Sequence, residues 1–89
     1  MENEDKITCL YMPAVLRRYR DEAGFSQRDL AERIGVSKGF ISALEGGRSV
    51  PSLDRLVQIA GVLEVEPGDM VTAMMEAYRE DLSKKLKHK

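Results

Sequence analysis

The chain has 89 residues, of which 43% are hydrophobic and 33% are charged, so we expect one small globular domain. No apolar run is long enough to span a membrane, and the acidic first residues are unlike a signal peptide, which predicts a cytoplasmic protein without a membrane partner. A single cysteine, Cys9, and a single histidine, His88, leave no pair for an internal disulfide and no ligand set for a metal site.

The formal net charge of −1 conceals a segregation of charge along the chain. Residues 13–63 carry eight basic and six acidic residues, residues 64–82 carry one arginine against six acidic residues, and residues 83–89 carry four lysines. Charge asymmetry of this kind indicates that different segments have different partners. The mildly basic middle of the chain is the segment that suits a nucleic acid.

Helix signals recur at short intervals along the chain, whereas strand signals are nearly absent. Pro13 suits the first turn of a helix that ends at Gly24. Ser26, followed three residues later by Asp29, predicts a capping box for a second helix that ends at Gly35. These signals indicate an all-α protein.

Three further helices follow the same logic. Ser37 caps a third helix that stops at the Gly46-Gly47 pair, and Pro51 with Ser52 opens a fourth. Pro67 opens a fifth helix. Five short helices joined by tight turns therefore account for nearly all of the chain.

Helices two and three are joined by about three residues, which is too short for side-by-side antiparallel packing and predicts a steep crossing. Ala31 lies where the third helix approaches the second, Gly35 lies where the turn needs a positive φ, and Ile41 points back toward the core. An ordinary helical hairpin would require only Gly35, so the joint spacing of the three favours a helix-turn-helix.

A longer pattern surrounds these three positions. It consists of Leu16 and Arg20 before Gly24, then Ser26-Gln27-x-x-Leu30-Ala31-x-x-x-Gly35-Val36-Ser37, then Ile41-x-x-Leu44-Glu45-x-Gly47, then Pro51 and Leu56. With this pattern, the segment from Leu16 to about Val65 resembles the Cro/CI-type (XRE-like) helix-turn-helix domain of phage and bacterial transcription regulators. The resemblance implies a five-helix, lambda-repressor-like DNA-binding domain whose helix-turn-helix is formed by helices two and three.

In that family the third helix enters the major groove of double-stranded DNA. The resemblance therefore implies base contacts from the exposed face of helix three, namely Lys38, Gly39, Ser42 and Ala43. It implies phosphate contacts from the start of helix two, the cap of helix three, the loop that follows and helix one, namely Gln27, Arg28, Ser37, Arg48, Ser49, Arg17 and Arg18. It also implies a buried ion pair between Arg20 and Glu45. Since few of the base-contact positions carry long polar side chains, we expect modest direct readout, with water or DNA shape contributing more.

The fifth helix carries an apolar stripe that four preceding helices cannot easily cover. The stripe predicts a homodimer interface formed by Met70, Met74, Tyr78 and Leu82. The alternative is that the stripe closes the core of the monomer, and the two are compatible. We therefore divide the chain into a flexible N-terminal extension (1–12), a helix-turn-helix domain (13–66), a dimerisation helix (67–83) and a basic tail (84–89).

Together these features predict a sequence-specific transcriptional regulator, a repressor or autoregulator, that binds a palindromic operator as a homodimer. The alternative is an antitoxin, or another protein-binding module, that binds a protein partner through the C-terminal helix. An enzyme is not expected, because His88 lies in the tail and neither a phosphate-binding loop nor a carboxylate pair is present. No cofactor is expected.

Overall fold

The computed structural model describes residues 6–87, which form five helices. They are α1 (Lys6–Glu22), α2 (Gln27–Ile34), α3 (Lys38–Glu45), α4 (Leu53–Leu63) and α5 (Pro67–Lys87). No strand occurs in this range, and the predicted all-α class is confirmed. None of the helices in residues 6–87 is sufficiently long and apolar to cross a membrane.

All five helices contribute to one hydrophobic core. The largest fully enclosed side chains are Ile41 and Leu44 of α3, Ile59 of α4 and Met70 of α5. Each side chain of this size stabilises the fold by about 1.5–3 kcal/mol when it leaves water. Because α3 supplies two of them, the core fixes one face of this helix and leaves the other toward solvent.

Helix α1 begins earlier than predicted. Residues 6–12 belong to α1 instead of a flexible extension, and Pro13 lies inside the helix; residues 1–5 lie outside the described part of the chain. The added turns are stabilised by tertiary contacts: Met12 is buried in the core and the Cys9 thiol donates a hydrogen bond to the Gly47 carbonyl. A proline in a helix costs one backbone hydrogen bond, and these contacts offset that loss.

Helix α5 is longer than predicted and packs differently. It continues to Lys87, so residues 84–87 are helical and not part of a disordered tail; residues 88–89 lie outside the described range. Met70 and Met74 are buried inside the monomer, so this half of the predicted dimer stripe is core. Helices α1 and α4 both pack against α5, so for these two residues the alternative holds, in which the stripe closes the core of the monomer.

The turn between α4 and α5 contains a strained residue. Glu64 ends α4 in the left-handed conformation, with φ of 59° and ψ of 42°. A side chain with a Cβ costs about 1–2 kcal/mol in this region, whereas glycine adopts it freely. We expect Glu64→Gly to raise the free energy of unfolding by up to about 1 kcal/mol. Glu64→Ala is the matched control for urea denaturation, since it removes the same carboxylate but keeps the Cβ; an equal gain from both variants would contradict the explanation.

Candidate nucleic-acid interface

Local hydrogen bonds fix both ends of α2. The Ser26 hydroxyl accepts from the Asp29 amide at 2.9 Å, and the Asp29 carboxylate accepts from the Ser26 amide at 3.1 Å, which completes a capping box. Gly35 ends α2 at φ 76° and ψ 35°, and the Val36 amide then donates to the Ala31 carbonyl at 3.0 Å. This left-handed turn is the step that directs α3 steeply across α2.

Helix α3 carries the four predicted base-contact residues. The Ser37 hydroxyl caps the helix by accepting from the Phe40 amide at 3.0 Å. Lys38 and Gly39 are exposed in the first turn, whereas Ser42 and Ala43 are half-buried. Lys38 and Ser42 share one face because they are four residues apart. Lys38 is therefore the long polar side chain of this face.

The loop after α3 folds back onto the helix. The Arg48 and Ser49 amides both donate to the Ala43 carbonyl, at 2.9 and 3.3 Å, and both residues are exposed. The Arg48 guanidinium lies against Gly46, where an added Cβ would stand 2.9 Å from Nη1. Glycine at position 46 therefore gives the Arg48 side chain room to lie beside the end of α3.

A buried ion pair connects α1 to the last residue of α3. Arg20 Nε donates to Glu45 Oε2 at 2.6 Å and Arg20 Nη2 donates to Glu45 Oε1 at 2.9 Å. Arg20 Nη1 also donates to the Phe25 carbonyl at 2.8 Å. The pair implied by the resemblance is thus present in a two-pronged geometry, which fixes α3 relative to α1 and to the turn before α2.

Two predicted phosphate ligands converge on the same carboxylate. Gln27 Nε2 donates to Glu45 Oε1 at 3.0 Å, and Arg17 Nε lies 3.9 Å from that oxygen. Burial alone would raise the pKa of Glu45, but the hydrogen bonds from Arg20 and Gln27 and the nearby positive charges outweigh it and hold the pKa below its ordinary value. Glu45 therefore stays ionised and orients Gln27 at the start of α2.

The other two predicted phosphate ligands are placed differently. Arg28 is exposed on α2 beside Gln27. Arg18 lies near Glu22, with Nε 3.8 Å from Oε2, and its guanidinium stacks on the Tyr19 ring. Since one residue turns a helix by about 100°, Arg18 does not join Arg17 beside Glu45.

Sequence reasoning missed several contacts around the interface. The Arg55 guanidinium lies 5.3 Å from the centroid of the Phe40 ring, which is half-buried against the core cluster. The thiol contact of Cys9 with Gly47 brings the start of α1 to the loop that carries Arg48. The spacing of Cys9 and Met12 to the core residue Leu16 was a helical signal that could have revealed this earlier start of α1.

The fold and the helix-turn-helix geometry define a DNA-binding protein. The family model for the helix-turn-helix matches residues 16–70, and the chain belongs to the XRE-like helix-turn-helix family. It is a transcriptional regulator with a helix-turn-helix DNA-binding domain.

Similar proteins are helix-turn-helix regulators. An uncharacterised HTH-type transcriptional regulator of Methanothermobacter thermautotrophicus is 46% identical over 52 residues, which cover 58% of this chain and 75% of that protein. The HTH-type transcriptional regulator SinR of Bacillus subtilis is 37% identical over 51 residues, covering 56% of this chain but only 46% of SinR. The crystal structure of the clp gene regulator ClgR from Corynebacterium glutamicum is similar at a TM-score of 0.70 and 32% identity, covering 86% of this chain and 87% of that one.

Proposed function

We propose that the chain binds a palindromic operator in double-stranded DNA as a homodimer, with the N-terminus of α3 in the major groove, and represses or autoregulates transcription there. The observation that carries the proposal is the exposed first turn of α3, held by the Ser37 cap and by the Arg20–Glu45 ion pair behind it. A protein seated in the groove over a promoter blocks polymerase sterically, which is the simplest route to repression.

The base contacts proposed are Lys38, Gly39, Ser42 and Ala43. Lys38 can donate to guanine O6 or N7, Ser42 can donate or accept at a base edge, and Ala43 can meet a thymine methyl. Gly39 has no side chain, so its part is to let the backbone approach the groove. These four residues contact few bases. Preference for the operator over other DNA therefore depends on the summed affinity of two half-sites.

The phosphate contacts proposed lie around this face. Ser37 and Gln27 stand at the N-termini of α3 and α2, where free amides favour an anion. Arg48 and Ser49 in the loop after α3, Arg28 on α2 and Arg17 on α1 add charge or donors to the same interface. Arg18 is left out, since it does not join Arg17 on the side of α1 that faces Glu45 and the start of α2.

The experiment begins with selection of bound duplexes from a random pool, which should enrich a two-fold symmetric sequence. On that sequence, Lys38→Ala and Arg48→Ala should each weaken binding by about 5- to 100-fold at constant salt. Arg48→Ala should weaken binding to all sequences alike, and the slope of log affinity against log salt concentration should become shallower by about one. Lys38→Ala should also relax the sequence preference at one base pair.

Arg33→Ala is the matched control for these variants. Arg33 is an exposed cation of α2 whose guanidinium stacks on Phe25. Its removal changes the net charge equally, so affinity for the selected operator should stay within about twofold of the parent chain. The proposal fails if no sequence is enriched, or if Lys38→Ala and Arg48→Ala bind as the control does.

The alternative of an antitoxin or other module that binds a protein through the C-terminal helix has less support. Met70 and Met74, which were expected to contact such a partner, are committed to the core of the monomer.

A further inference from the structure

One peptide unit in the loop after α3 is held at both of its ends. The Arg48 amide donates to the Ala43 carbonyl at 2.9 Å. The Gly47 carbonyl, which belongs to the same peptide unit, accepts from the Cys9 thiol at 3.0 Å. Because a peptide unit is planar and rigid, two hydrogen bonds at opposite ends fix its orientation. Helix α3 holds one end and α1 holds the other, so the direction in which the chain enters Arg48 is set by both helices.

Helix α1 lies directly against this peptide unit at Gly47. The residue has a φ of 79°, and a Cβ added to it would stand 3.4 Å from the Cys9 carbonyl oxygen and 3.8 Å from Cγ of Pro13. The bare Cα of glycine therefore lets the loop come close to α1. Cys9 is half-buried and lies 38 residues before Gly47, so its thiol joins two distant segments of the chain.

The other hydrogen bonds of this loop return to α3. Among residues 6–87, the Gly47 amide donates to the Leu44 carbonyl at 3.3 Å, and the Ser49 amide donates to the Ala43 carbonyl at 3.3 Å. These bonds hold the loop to the end of the helix that precedes it, and the Cys9 thiol is the contact that holds it to another helix. Without that contact, the loop and its Arg48 side chain would be free to move about the end of α3.

We propose that Cys9 is a positioning residue for DNA binding, whose thiol orients the Gly47–Arg48 peptide unit so that Arg48 and Ser49 meet the phosphate backbone. This inference deepens the proposed function and rests on it, since Arg48 and Ser49 are phosphate contacts proposed there. Cys9 acts without touching DNA. It removes in advance the conformational freedom that an exposed loop otherwise loses on binding.

The first test compares Cys9→Ala with Cys9→Ser on the selected operator. Cys9→Ala removes a weak donor and should weaken binding to all sequences alike by about 2- to 5-fold. The slope of log affinity against log salt concentration should become shallower, since a phosphate contact is weakened, while the preference among base pairs stays unchanged. Cys9→Ser keeps a donor and should recover most of this loss. Equal losses in the two variants would overturn the role of the hydrogen bond.

Tyr11→Phe is the matched control. It removes one hydrogen-bond donor from the same first turns of α1, but the bond that is lost runs to Asp81 Oδ2 on α5, at 2.8 Å, and not to the loop. Affinity and salt slope should therefore match those of the parent chain. A loss equal to that of Cys9→Ala would show that general loosening of α1 causes the effect, and would overturn the inference.

A double-mutant cycle tests whether Cys9 acts through the loop. In a chain that already carries Arg48→Ala and Ser49→Ala, the further change Cys9→Ala should alter affinity by less than about 1.5-fold, because the side chains that it positions are gone. If Cys9→Ala weakened binding as much in this background as in the parent chain, Cys9 would act elsewhere and the inference would be wrong.

The order of the loop without DNA separates failure of this inference from failure of the proposed function. In NMR relaxation measurements, the order parameters of the Arg48 and Ser49 amides should fall in Cys9→Ala and stay unchanged in Tyr11→Phe. Unchanged order parameters in Cys9→Ala would overturn the inference but not the DNA contacts of α3. A loop that loosens as expected, in a chain that selects no DNA, would overturn the proposed function instead.

Discussion

Replacement of Arg20 by methionine should destabilise the protein by about 3–5 kcal/mol, because it leaves the buried Glu45 carboxylate without its main partner. Both Arg20 side-chain contacts to that carboxylate are short, and Glu45 is only 4% exposed. A loss of this size is a large part of the stability of a small domain and should lower Tm by more than about 10 °C. Thermal unfolding followed by circular dichroism measures it.

Two further variants distinguish the effect of an unpaired buried charge from the effect of removing an arginine from α1. The double variant Arg20→Met, Glu45→Met should regain most of the lost stability, since no charge is then buried alone. Arg18→Met removes an exposed arginine from the same helix and should change stability by less than about 0.5 kcal/mol. If the free energy of unfolding of Arg20→Met were within about 1 kcal/mol of the parent value, the stabilising role of the Arg20–Glu45 pair would be contradicted.

The ion pair also predicts how stability depends on pH. The pKa of Glu45 is lower in the folded chain than in the unfolded chain, so the unfolded state binds more protons as the solution is acidified. The contribution of ionised Glu45 to folding stability is therefore fully present above the ordinary glutamate pKa. This contribution is lost as the pH falls through the lowered pKa of the folded chain. The double variant should lack this part of the acid unfolding curve.

Truncation of Met70 to alanine should cost about 2–5 kcal/mol of folding stability, the range found for emptied core sites. Met70 is 0% exposed, and it is fully enclosed inside the monomer. Chemical denaturation of the parent chain and of Met70→Ala, each at several protein concentrations, separates this effect from any change in association.

Leu82→Ala is the comparison on the same helix. Because Leu82 is exposed, its truncation should weaken the dimer while costing the monomer less than about 0.5 kcal/mol. If Met70→Ala instead left the unfolding free energy unchanged and altered only self-association, Met70 would belong to an interface and not to the core.

Local chemistry explains which parts of the fold could be predicted from sequence. The Ser26 capping box and the Gly35 turn depend on residues within a few positions of each other, so the pattern alone locates α2 and its join to α3. The family pattern also implied the Arg20–Glu45 pair, which the structure contains. The arrangement of the helix-turn-helix could therefore be predicted from the sequence.

Contacts between distant segments explain what could not be predicted. Gln27 and Glu45 are 18 residues apart, and no local rule joins their side chains. The four-residue periodicity of α5 identified an apolar face but not what packs against it, so Met70 was assigned to a partner although it is buried in the core of the monomer. Pro13 suggested a helix start because proline suits a first turn, whereas burial of Met12 extends the helix beyond it.

The proline inside α1 has a consequence for local unfolding. Pro13 has no amide hydrogen, so the Cys9 carbonyl lacks the helical donor four residues later, and the backbone ladder of α1 is interrupted at that turn. The first two turns can therefore open as a unit without breaking the rest of the helix, and their amides should exchange with solvent faster than those around Leu16. Since the Cys9 thiol donates a hydrogen bond to the Gly47 carbonyl, opening of these turns would also release a contact of the loop that carries Arg48.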